Sequence, residues 1–176
     1  LHSYKVNIKN INREPVFISQ ANQEAFENTV YRYRPVIKDL DHNNVSITLD
    51  DGPKGMAFNQ VSKTLEWLPD YQSAGVHDVS LMLNDGYSNV MQSFELTVAN
   101  VNRPPVFEPV ERFEVSETEE KTWALKAYDP DGDDIHYELI RAPKGVSVHA
   151  KSGYITWTPD YKQSGLHQLE VIASDS

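Results

Sequence analysis

Hydrophobic and polar residues alternate in short stretches along the chain, and glycine, proline, aspartate or asparagine residues separate the stretches. Alternation with a period of two residues turns one face of a segment inward, which is typical of β-strands that are buried on one side. No helical periodicity of useful length interrupts the pattern, so it predicts an all-β protein. The clearest alternating sets are Val45, Ile47 and Leu49; Val79, Leu81 and Leu83; Phe94, Leu96 and Val98; Ile135, Tyr137 and Leu139; and Leu169, Val171 and Ala173.

The sequence also repeats itself, without a gap, at a spacing of 90 residues. Self-similarity at a fixed spacing indicates an array of domains, and a period of this length fits one small β-sandwich per repeat. The matching positions include residues 53–55 with 143–145, residues 67–71 with 157–161, and Asp39, Asp41 and Asp85 with Asp129, Asp131 and Asp175.

The register of the repeat predicts where the domains begin and end. We expect residues 1–12 to be the last strand of a preceding repeat, residues 13–102 to form the first repeat and residues 103–176 to form the second. The second repeat has no counterpart of residues 91–99, so its last strand is expected to be missing. The predicted fold is two tandem antiparallel β-sandwiches of seven strands, the second without its last strand.

Proline and tryptophan residues add detail to this prediction. Pro104 and Pro105 restrict the backbone between the repeats and remove two amide donors, so the connection is expected to be short and semi-rigid. Trp67 and Trp157 occupy equivalent positions, and each is expected to anchor the core of its own repeat.

Composition narrows the class of function. The net charge of -10 argues against a nucleic-acid partner, because phosphate binding relies on clustered lysine and arginine. Cysteine is absent, which excludes disulfide bonds and thiol chemistry. The sequence has no apolar run near the roughly 20 residues that span a bilayer, and no nucleophile-elbow, phosphate-loop or zinc-protease motif. These features favour a non-catalytic protein without membrane insertion.

The most acidic run is Asp-Pro-Asp-Gly-Asp-Asp at residues 129–134. Asp-Pro and Asp-Gly steps form turns whatever they bind, so a structural role accounts for them. Carboxylates this close also repel one another unless a cation or water screens them, so a calcium site accounts for them equally well. An EF-hand is excluded, because its sixth and twelfth positions would be Asp134 and Ile140 rather than glycine and glutamate.

Each repeat carries the same series of spaced residues: an early Glu, an acidic turn, a Pro-x-Gly turn, a Trp-x-Pro segment, a Gly-x-His step and a late Asp. In the second repeat these are Glu117, Ala127, Asp129, Asp131, Gly132, Asp133, Pro143, Gly145, Ile155, Trp157, Pro159, Gly165, His167 and Asp175. The first repeat has Glu27, Asp39, Asp41, Asn43, Pro53, Gly55, Leu65, Trp67, Pro69, Gly75, His77 and Asp85. The series resembles cadherin-like domains, in particular the dystroglycan-type or putative Ig-like repeats of large bacterial surface or secreted proteins. The resemblance covers the whole chain and implies Ig-like sandwiches, an extracellular or cell-surface location, and a role in adhesion or spacing.

The resemblance also implies calcium as a cofactor, because calcium-binding cadherins hold ions at the junctions of their domains. Carried over position by position, the ligand set is Glu27, Asp70, Asn100, Asn102, Asp129, Asp131 and Asp175. The chain departs from the family pattern at residues 70–72 (Asp-Tyr-Gln instead of Asp-Arg-Glu) and at residues 102–104 (Asn-Arg-Pro, where strong binders carry more acids). These departures are expected to weaken the site or to empty it.

Two kinds of partner follow from the alternating and aromatic residues. Tyr4, Val6 and Ile8 have the phase of a last strand, so we expect this strand to pair with the open edge of the second repeat in another copy of the chain. The alternative function is that of a carbohydrate-binding module, in which exposed aromatic rings stack on sugars. Most aromatic residues share the inward phase of their strands, which leaves Tyr128 and Tyr154 as candidates for that role.

Overall fold

The computed structural model describes residues 1–9, 11–110 and 112–175 of the chain. They fall into two compact units, Leu1–Val101 (unit 1) and Asn102–Ser176 (unit 2), each of which is described by itself. Every regular element among the described residues is a β-strand, so the all-β prediction is confirmed. No helix in the described part of the chain is long and apolar enough to cross a membrane.

Unit 1 contains nine strands among its described residues. A four-stranded sheet has the order β2-β9-β8-β5, a three-stranded sheet has the order β3-β7-β6, and β1 pairs with β4. Only β2 and β9 run parallel; the other pairs are antiparallel. The strands are β1 (Val16–Phe17), β2 (Glu24–Phe26), β3 (Tyr31–Tyr33), β4 (Ile37–Lys38), β5 (Ser46–Asp51), β6 (Ala57–Asn59), β7 (Thr64–Trp67), β8 (Gly75–Asn84) and β9 (Asn89–Ala99).

The nine strands exceed the predicted seven because two strands are each divided. The first is divided into β1 and β2, which belong to different sheets. The second is divided into β3 and β4 by residues 34–36. Pro35 lies in this interruption, and proline has no N–H to donate to a ladder.

The core of unit 1 lies between the four-stranded and three-stranded sheets. Leu65 of β7, Leu81 of β8 and Leu96 of β9 are completely buried in it, together with Trp67. Burying a leucine side chain of this kind contributes roughly 1.5–3 kcal/mol. The residues expected to face inward from β5, β8 and β9 are all buried or half-buried.

A proline–lysine–glycine turn holds the core tryptophan of each unit. The indole Nε1–H of Trp67 donates to the carbonyl oxygen of Lys54 at 3.1 Å, and Trp157 donates to Lys144 at 3.3 Å. Gly55 closes the turn with a φ of 87°, a left-handed conformation that favours glycine. The spacing between this turn and the tryptophan recurs in both units because the turn satisfies the indole N–H of the anchor.

Unit 2 has seven strands among its described residues. A three-stranded sheet has the order β11-β15-β14, β13 pairs with β16, and β10 pairs with β12. Its small core is built from Leu125, Tyr137 and Ile155. The strands are β10 (Val106–Phe107), β11 (Lys121–Ala124), β12 (Ala127–Tyr128), β13 (His136–Arg141), β14 (Ser147–Val148), β15 (Tyr154–Trp157) and β16 (Glu170–Ser174).

The two units differ most along one strand. In unit 1, β8 is ten residues long and pairs with β5 on one edge and with β9 on the other. Its counterpart in unit 2, β16, is five residues long and pairs with β13 alone among the described residues. Residues 165–169, which match the first half of β8, form no strand.

The open side of β16 exposes part of the core of unit 2 as an apolar groove. The groove has a volume of about 1020 Å³. Its apolar lining includes Phe107, Phe113, Trp123, Trp157, Leu169 and Val171.

Candidate functional site

An acidic turn with an arginine bound to it recurs at one end of each unit. In unit 2 the turn follows β12. The backbone N–H of Asp131 donates to Oδ1 of Asp129 at 2.8 Å, and the N–H of Gly132 donates to the carbonyl of Asp129 at 3.2 Å. An aspartate that accepts from the backbone two residues later is a typical turn former, so these bonds shape the turn locally.

Arg103 binds this turn through its backbone and its side chain. Its N–H donates to Oδ2 of Asp131 at 2.6 Å, and its Nε donates to Oδ1 at 2.8 Å. Nη2 donates to Oδ1 as well and reaches the carbonyl of Pro130 at 2.7 Å. The hydrogen bonds from the Arg103 side chain, which are the largest cause, hold the pKa of Asp131 below its usual value, although its burial opposes this shift.

Unit 1 repeats the arrangement with Arg13 and Asp41. The N–H of Arg13 donates to Oδ2 at 2.6 Å, Nε donates to Oδ1 at 3.1 Å, and Nη2 reaches the carbonyl of Leu40 at 3.2 Å. The side-chain hydrogen bond lowers the pKa of Asp41 and raises the pKa of Arg13. The N–H of Asp41 donates to Oδ1 of Asp39 at 2.7 Å, as in the turn of unit 2.

An asparagine next to each arginine binds the late aspartate of its unit. The side-chain Nδ2 of Asn12 donates to Oδ2 of Asp85 at 2.9 Å, and Asn102 donates to Asp175 at the same distance. The backbone N–H groups of residues 87 and 88 also donate to Oδ1 of Asp85. The Asn12 hydrogen bond is the largest cause that lowers the pKa of Asp85 to about 2.

One carboxylate oxygen in each turn lacks a hydrogen-bond partner among the described residues. Oδ2 of Asp39 and Oδ2 of Asp129 are buried and have no hydrogen-bond partner among the described residues. A buried carboxylate oxygen needs a donor or a cation to offset the loss of hydration. This pair of equivalent atoms is the feature of the two turns that suits a bound cation best.

The remaining predicted ligands in unit 1 are held by the protein itself, apart from Asn100, which is exposed. Glu27 is buried, and its two oxygens accept from the backbone N–H groups of Ala74 and Val101, each at 3.0 Å. Oδ1 of Asp70 accepts from the Ser73 hydroxyl at 2.7 Å, and this bond is the largest cause of the lowered pKa of Asp70. These bonds occupy both oxygens of Glu27 and Oδ1 of Asp70, and Asp70 is exposed.

The donors of each unit, as they are arranged, do not fit a calcium ion. The predicted set places three residues in unit 1 and four in unit 2. No three histidine, aspartate or glutamate side chains converge as metal ligands among residues 1–9, 11–110 and 112–175. Calcium takes six to eight oxygens, whereas most of the carboxylate oxygens here already accept hydrogen bonds. Calcium binding by Glu27, Asp70, Asn100, Asn102, Asp129, Asp131 and Asp175 therefore stays a prediction.

The first residues of the chain are a second candidate for binding a partner. Residues 1–9 form no strand and are all exposed; Tyr4, Val6 and Ile8 are 86%, 82% and 88% exposed. Their role as the last strand of a preceding repeat, and their exchange between chains, stay predictions. Large apolar side chains exposed along one phase of an extended segment are suited to strand addition.

In the sequence alone, Arg103 is a departure from a metal-binding linker, and no pattern gives Arg13 a role. Two signals pointed to both arginines. They occupy the same position of the repeat, and each follows an asparagine directly. Their partners lie 28 residues away along the sequence, which no local pattern reveals.

Comparison with known families agrees with the two units. A model described as a putative Ig domain matches residues 14–99, and a model described as a bacterial Ig domain matches residues 102–176. No curated protein matches the chain.

Solved structures of cadherins are similar in fold. Human protocadherin-24 EC1-2 is 18% identical with a TM-score of 0.62, and the match covers 94% of this chain and 88% of that chain. Drosophila N-cadherin EC1-4 is 14% identical with a TM-score of 0.59, and the match covers 92% of this chain and 48% of that chain.

An endo-fucoidan hydrolase from glycoside hydrolase family 107 is 19% identical. That match covers 92% of this chain but only 27% of the hydrolase, with a TM-score of 0.46. With two Ig family matches in tandem and cadherin repeats as structural neighbours, the chain is a tandem of immunoglobulin-like domains with the cadherin-like fold.

Proposed function

We propose that the chain is a non-catalytic spacer and adhesion segment of an extracellular or cell-surface protein. The family and the fold support a surface role. The spacing role rests on one observation: each unit fixes the backbone at its own end of the connection by a hydrogen bond to a carboxylate. Unit 1 binds the backbone N–H of Val101 through Glu27, and unit 2 binds that of Arg103 through Asp131.

Val101 and Arg103 are two residues apart in the sequence, and the side chain of Asn102 is itself bonded to Asp175. Pro104 follows directly and restricts the backbone further. We infer that few bonds of this connection rotate freely. Repeats joined in this way would carry a terminal binding domain away from a surface without long flexible linkers.

Small-angle scattering tests the spacing role. A Gly-Ser-Gly-Ser insertion between Val101 and Asn102 should broaden the distribution of interatomic distances, because Gly/Ser segments behave as flexible coils. The same insertion after Gly86, in an exposed turn of unit 1, serves as the control and should leave the breadth unchanged. A wild-type distribution as broad as that of the Val101 insertion would contradict the proposal.

As the partner, we propose a second copy of the chain, whose residues 1–9 add to the open edge of β16. In unit 1 the corresponding edge of β8 is occupied by β9, and Leu96 and Val98 of β9 are buried in the core. Val6 and Ile8 correspond to these two residues in the repeat register. The groove beside β16 therefore suits the phase of this segment.

Light scattering across a range of protein concentrations tests the exchange. The double variant Val6→Asp/Ile8→Asp should abolish self-association, because it puts charges on the inward phase of the segment. The matched control Lys5→Ser/Asn7→Ser changes only the opposite phase and should associate like the wild type. Equal masses for the wild type and the Val6→Asp/Ile8→Asp variant at all concentrations would rule out exchange through this segment.

Calcium binding at the junction stays a proposal that rests on the resemblance and on the spare Oδ2 of Asp129; it competes with neutralisation of Asp131 by Arg103 alone. Isothermal calorimetry with the wild type, Asp129→Ala and Asp131→Ala measures it directly. A binding heat that disappears in both variants would support calcium at the acidic turn. A wild type without binding heat would count against it.

Carbohydrate binding is the alternative function. Tyr128 and Tyr154 are half exposed, as that role requires, whereas Tyr31, Tyr33 and Trp157 are buried in the cores. A glycan array compared between the wild type and Tyr128→Ala/Tyr154→Ala tests it. Binding to a glycan that the double variant loses would favour this function over spacing.

A further inference from the structure

Each unit carries an arginine on the second aspartate of its acidic turn, and in unit 2 that aspartate, Asp131, is one of the calcium ligands that the resemblance implies. We propose that Arg13 and Arg103 act as built-in cations of the acidic turns, so that the second aspartate of each turn, Asp41 or Asp131, is neutralised and tied to the entering chain without a divalent metal. The proposal concerns the end of each unit separately, and it does not depend on the spacing or adhesion role.

Arg103 engages several oxygens of the acidic turn in unit 2. Its Nε and Nη2 both donate to Oδ1 of Asp131, Nη2 also donates to the carbonyl of Pro130, and the backbone N–H of Arg103 donates to Oδ2. Carboxylate and carbonyl oxygens are the ligands that calcium uses in proteins. Arg103 thus satisfies, by hydrogen bonds, both carboxylate oxygens of Asp131 and the Pro130 carbonyl, which an ion at this turn could otherwise coordinate.

The same binding of an arginine to an acidic turn occurs in both units, on different local sequences. The turn of unit 1 is Asp-Leu-Asp-His-Asn at residues 39–43, and the turn of unit 2 is Asp-Pro-Asp-Gly-Asp at residues 129–133. Arg13 nevertheless binds Asp41 and the Leu40 carbonyl through the same atoms that Arg103 uses. The shared contact therefore depends on the arginine and on the second aspartate rather than on the sequence of the loop.

The burial of the two aspartates that the arginines bind also favours a paired positive charge. The side chains of Asp41 and Asp131 are only 2% and 6% exposed. A buried carboxylate needs a partner of opposite charge, and a guanidinium stays charged at every pH at which the protein folds. Its planar fork also offers several donors in a fixed geometry, which a hydrated point charge such as lysine does not.

Removing the guanidinium should expose a latent cation site. Asp129, Asp131 and Asp133 lie within five residues, and Oδ2 of Asp129 already lacks a partner. Without Arg103, the carboxylate of Asp131 would lose its counter-charge and keep the single backbone donor. A divalent ion that enters this space would then restore the lost neutralisation.

Thermal unfolding in EDTA and in millimolar calcium tests the proposal on the full chain. The wild type should melt at the same temperature in both buffers. Arg103→Gln should lower the melting temperature of unit 2 in EDTA, and calcium should raise it again. Arg141→Gln is the matched control on the same unit, since Arg141 is 70% exposed and pairs with Glu170 at only 3.8 Å; it should change neither value.

Three outcomes would overturn the proposal. The first is a wild type that calcium stabilises and that loses this response in Arg103→Gln. The second is an Arg103→Gln variant that melts like the wild type in EDTA. The third is a destabilised Arg103→Gln variant that calcium fails to restore, which would show an ordinary structural ion pair. If Arg103→Gln does not fold by circular dichroism, Arg13→Gln provides the same comparison for unit 1, whose core is larger.

Discussion

Asp85 shows how single carboxylates at the ends of the units tie stability to pH. Asn12 and the backbone of the following turn stabilise its charged form and lower its pKa from 3.8 to about 2. A group whose pKa is lower in the folded state stabilises the fold above the unfolded pKa, and this stabilisation is lost as the pH falls through the folded value. Asp41 and Asp70 of unit 1 shift in the same direction.

We therefore predict that unit 1 loses stability as the pH falls from about 4 to about 2, and that Asp85→Asn makes this loss smaller. The substitution keeps the shape of the side chain but removes its titration. Urea unfolding at a series of pH values measures both slopes, with Asp78→Asn on the exposed face of β8 as the control. Superimposable pH dependences for the wild type and Asp85→Asn would contradict the prediction.

Gly153 is a position where both conformation and space require glycine. Its φ is 67°, and a Cβ would lie 2.6 Å from the carbonyl oxygen of Leu125 and 3.0 Å from the ring of Tyr137. The equivalent residue of unit 1, Lys63, has a φ of 54°, so the backbone conformation itself tolerates a side chain there. The close contacts with the core are specific to unit 2.

Gly153→Ala should therefore destabilise unit 2 by about 1–3 kcal/mol from overpacking, in addition to the roughly 1–2 kcal/mol cost of a left-handed residue. Gly132→Ala is the matched control, since its φ is 86° and a Cβ there meets nothing within 4 Å. Chemical denaturation compares the two variants. Equal losses would show that conformation alone, without the contact, sets the cost.

At the level of strands, the difference between β8 and β16 shows how far a strand depends on its partners. Both segments carry the same alternation and the same Gly-x-His step. In unit 1, the His77 ring donates to the Ser73 carbonyl at 2.8 Å and packs edge-on against Trp67. His167 makes the equivalent contacts with Gln163 and Trp157, although no strand forms around it. The contacts of the histidine therefore form in unit 2, where no strand among the described residues takes the place of β9. The first half of the strand does not form there.

Amide hydrogen exchange measures this difference. Residues 166–169 should exchange faster than residues 76–79, because the latter pair with β9 and the former have no ladder partner among the described residues. The comparison is made at low protein concentration, where exchange of residues 1–9 between chains would be weakest. Equal protection of the two segments would contradict the prediction.

Over the full length of the chain, the two units differ in the size of their cores. Among the described residues, unit 1 buries twelve hydrophobic residues in one cluster, whereas the cluster of unit 2 has three. Leu65 and Ile155 occupy equivalent positions of the repeat and are almost completely buried. Unit 2 should therefore have the smaller free energy of unfolding.

We predict two thermal transitions, of which unit 2 gives the lower. Ile155→Ala should shift the lower transition and Leu65→Ala the upper one, each by about 2–5 kcal/mol of unfolding free energy. Differential scanning calorimetry resolves the two steps. A single transition that both variants shift equally would show that the chain unfolds as one cooperative body.

Much of the fold could be predicted from sequence because its signals are local or periodic. The alternation identified the inward residues of β5, β8 and β9, and the repeat identified Trp67 and Trp157 as core anchors. The division of the first two strands could not be predicted, since a period of two residues does not mark the point where a chain changes sheets. The candidate site was predicted only as a set of acids, because the pairing of Arg103 with Asp131 joins residues 28 positions apart.

The sequence by itself determined the all-β class, the 90-residue repeat, the inward faces and the acidic turns, because each depends on neighbouring residues or on fixed spacing. Only the tertiary structure decided which charge each acidic turn accepts and how long each strand becomes. Arg13 and Arg103 reach their turns through the folding of distant segments. The strand that matches β8 extends only as far as a neighbouring backbone completes its hydrogen bonds.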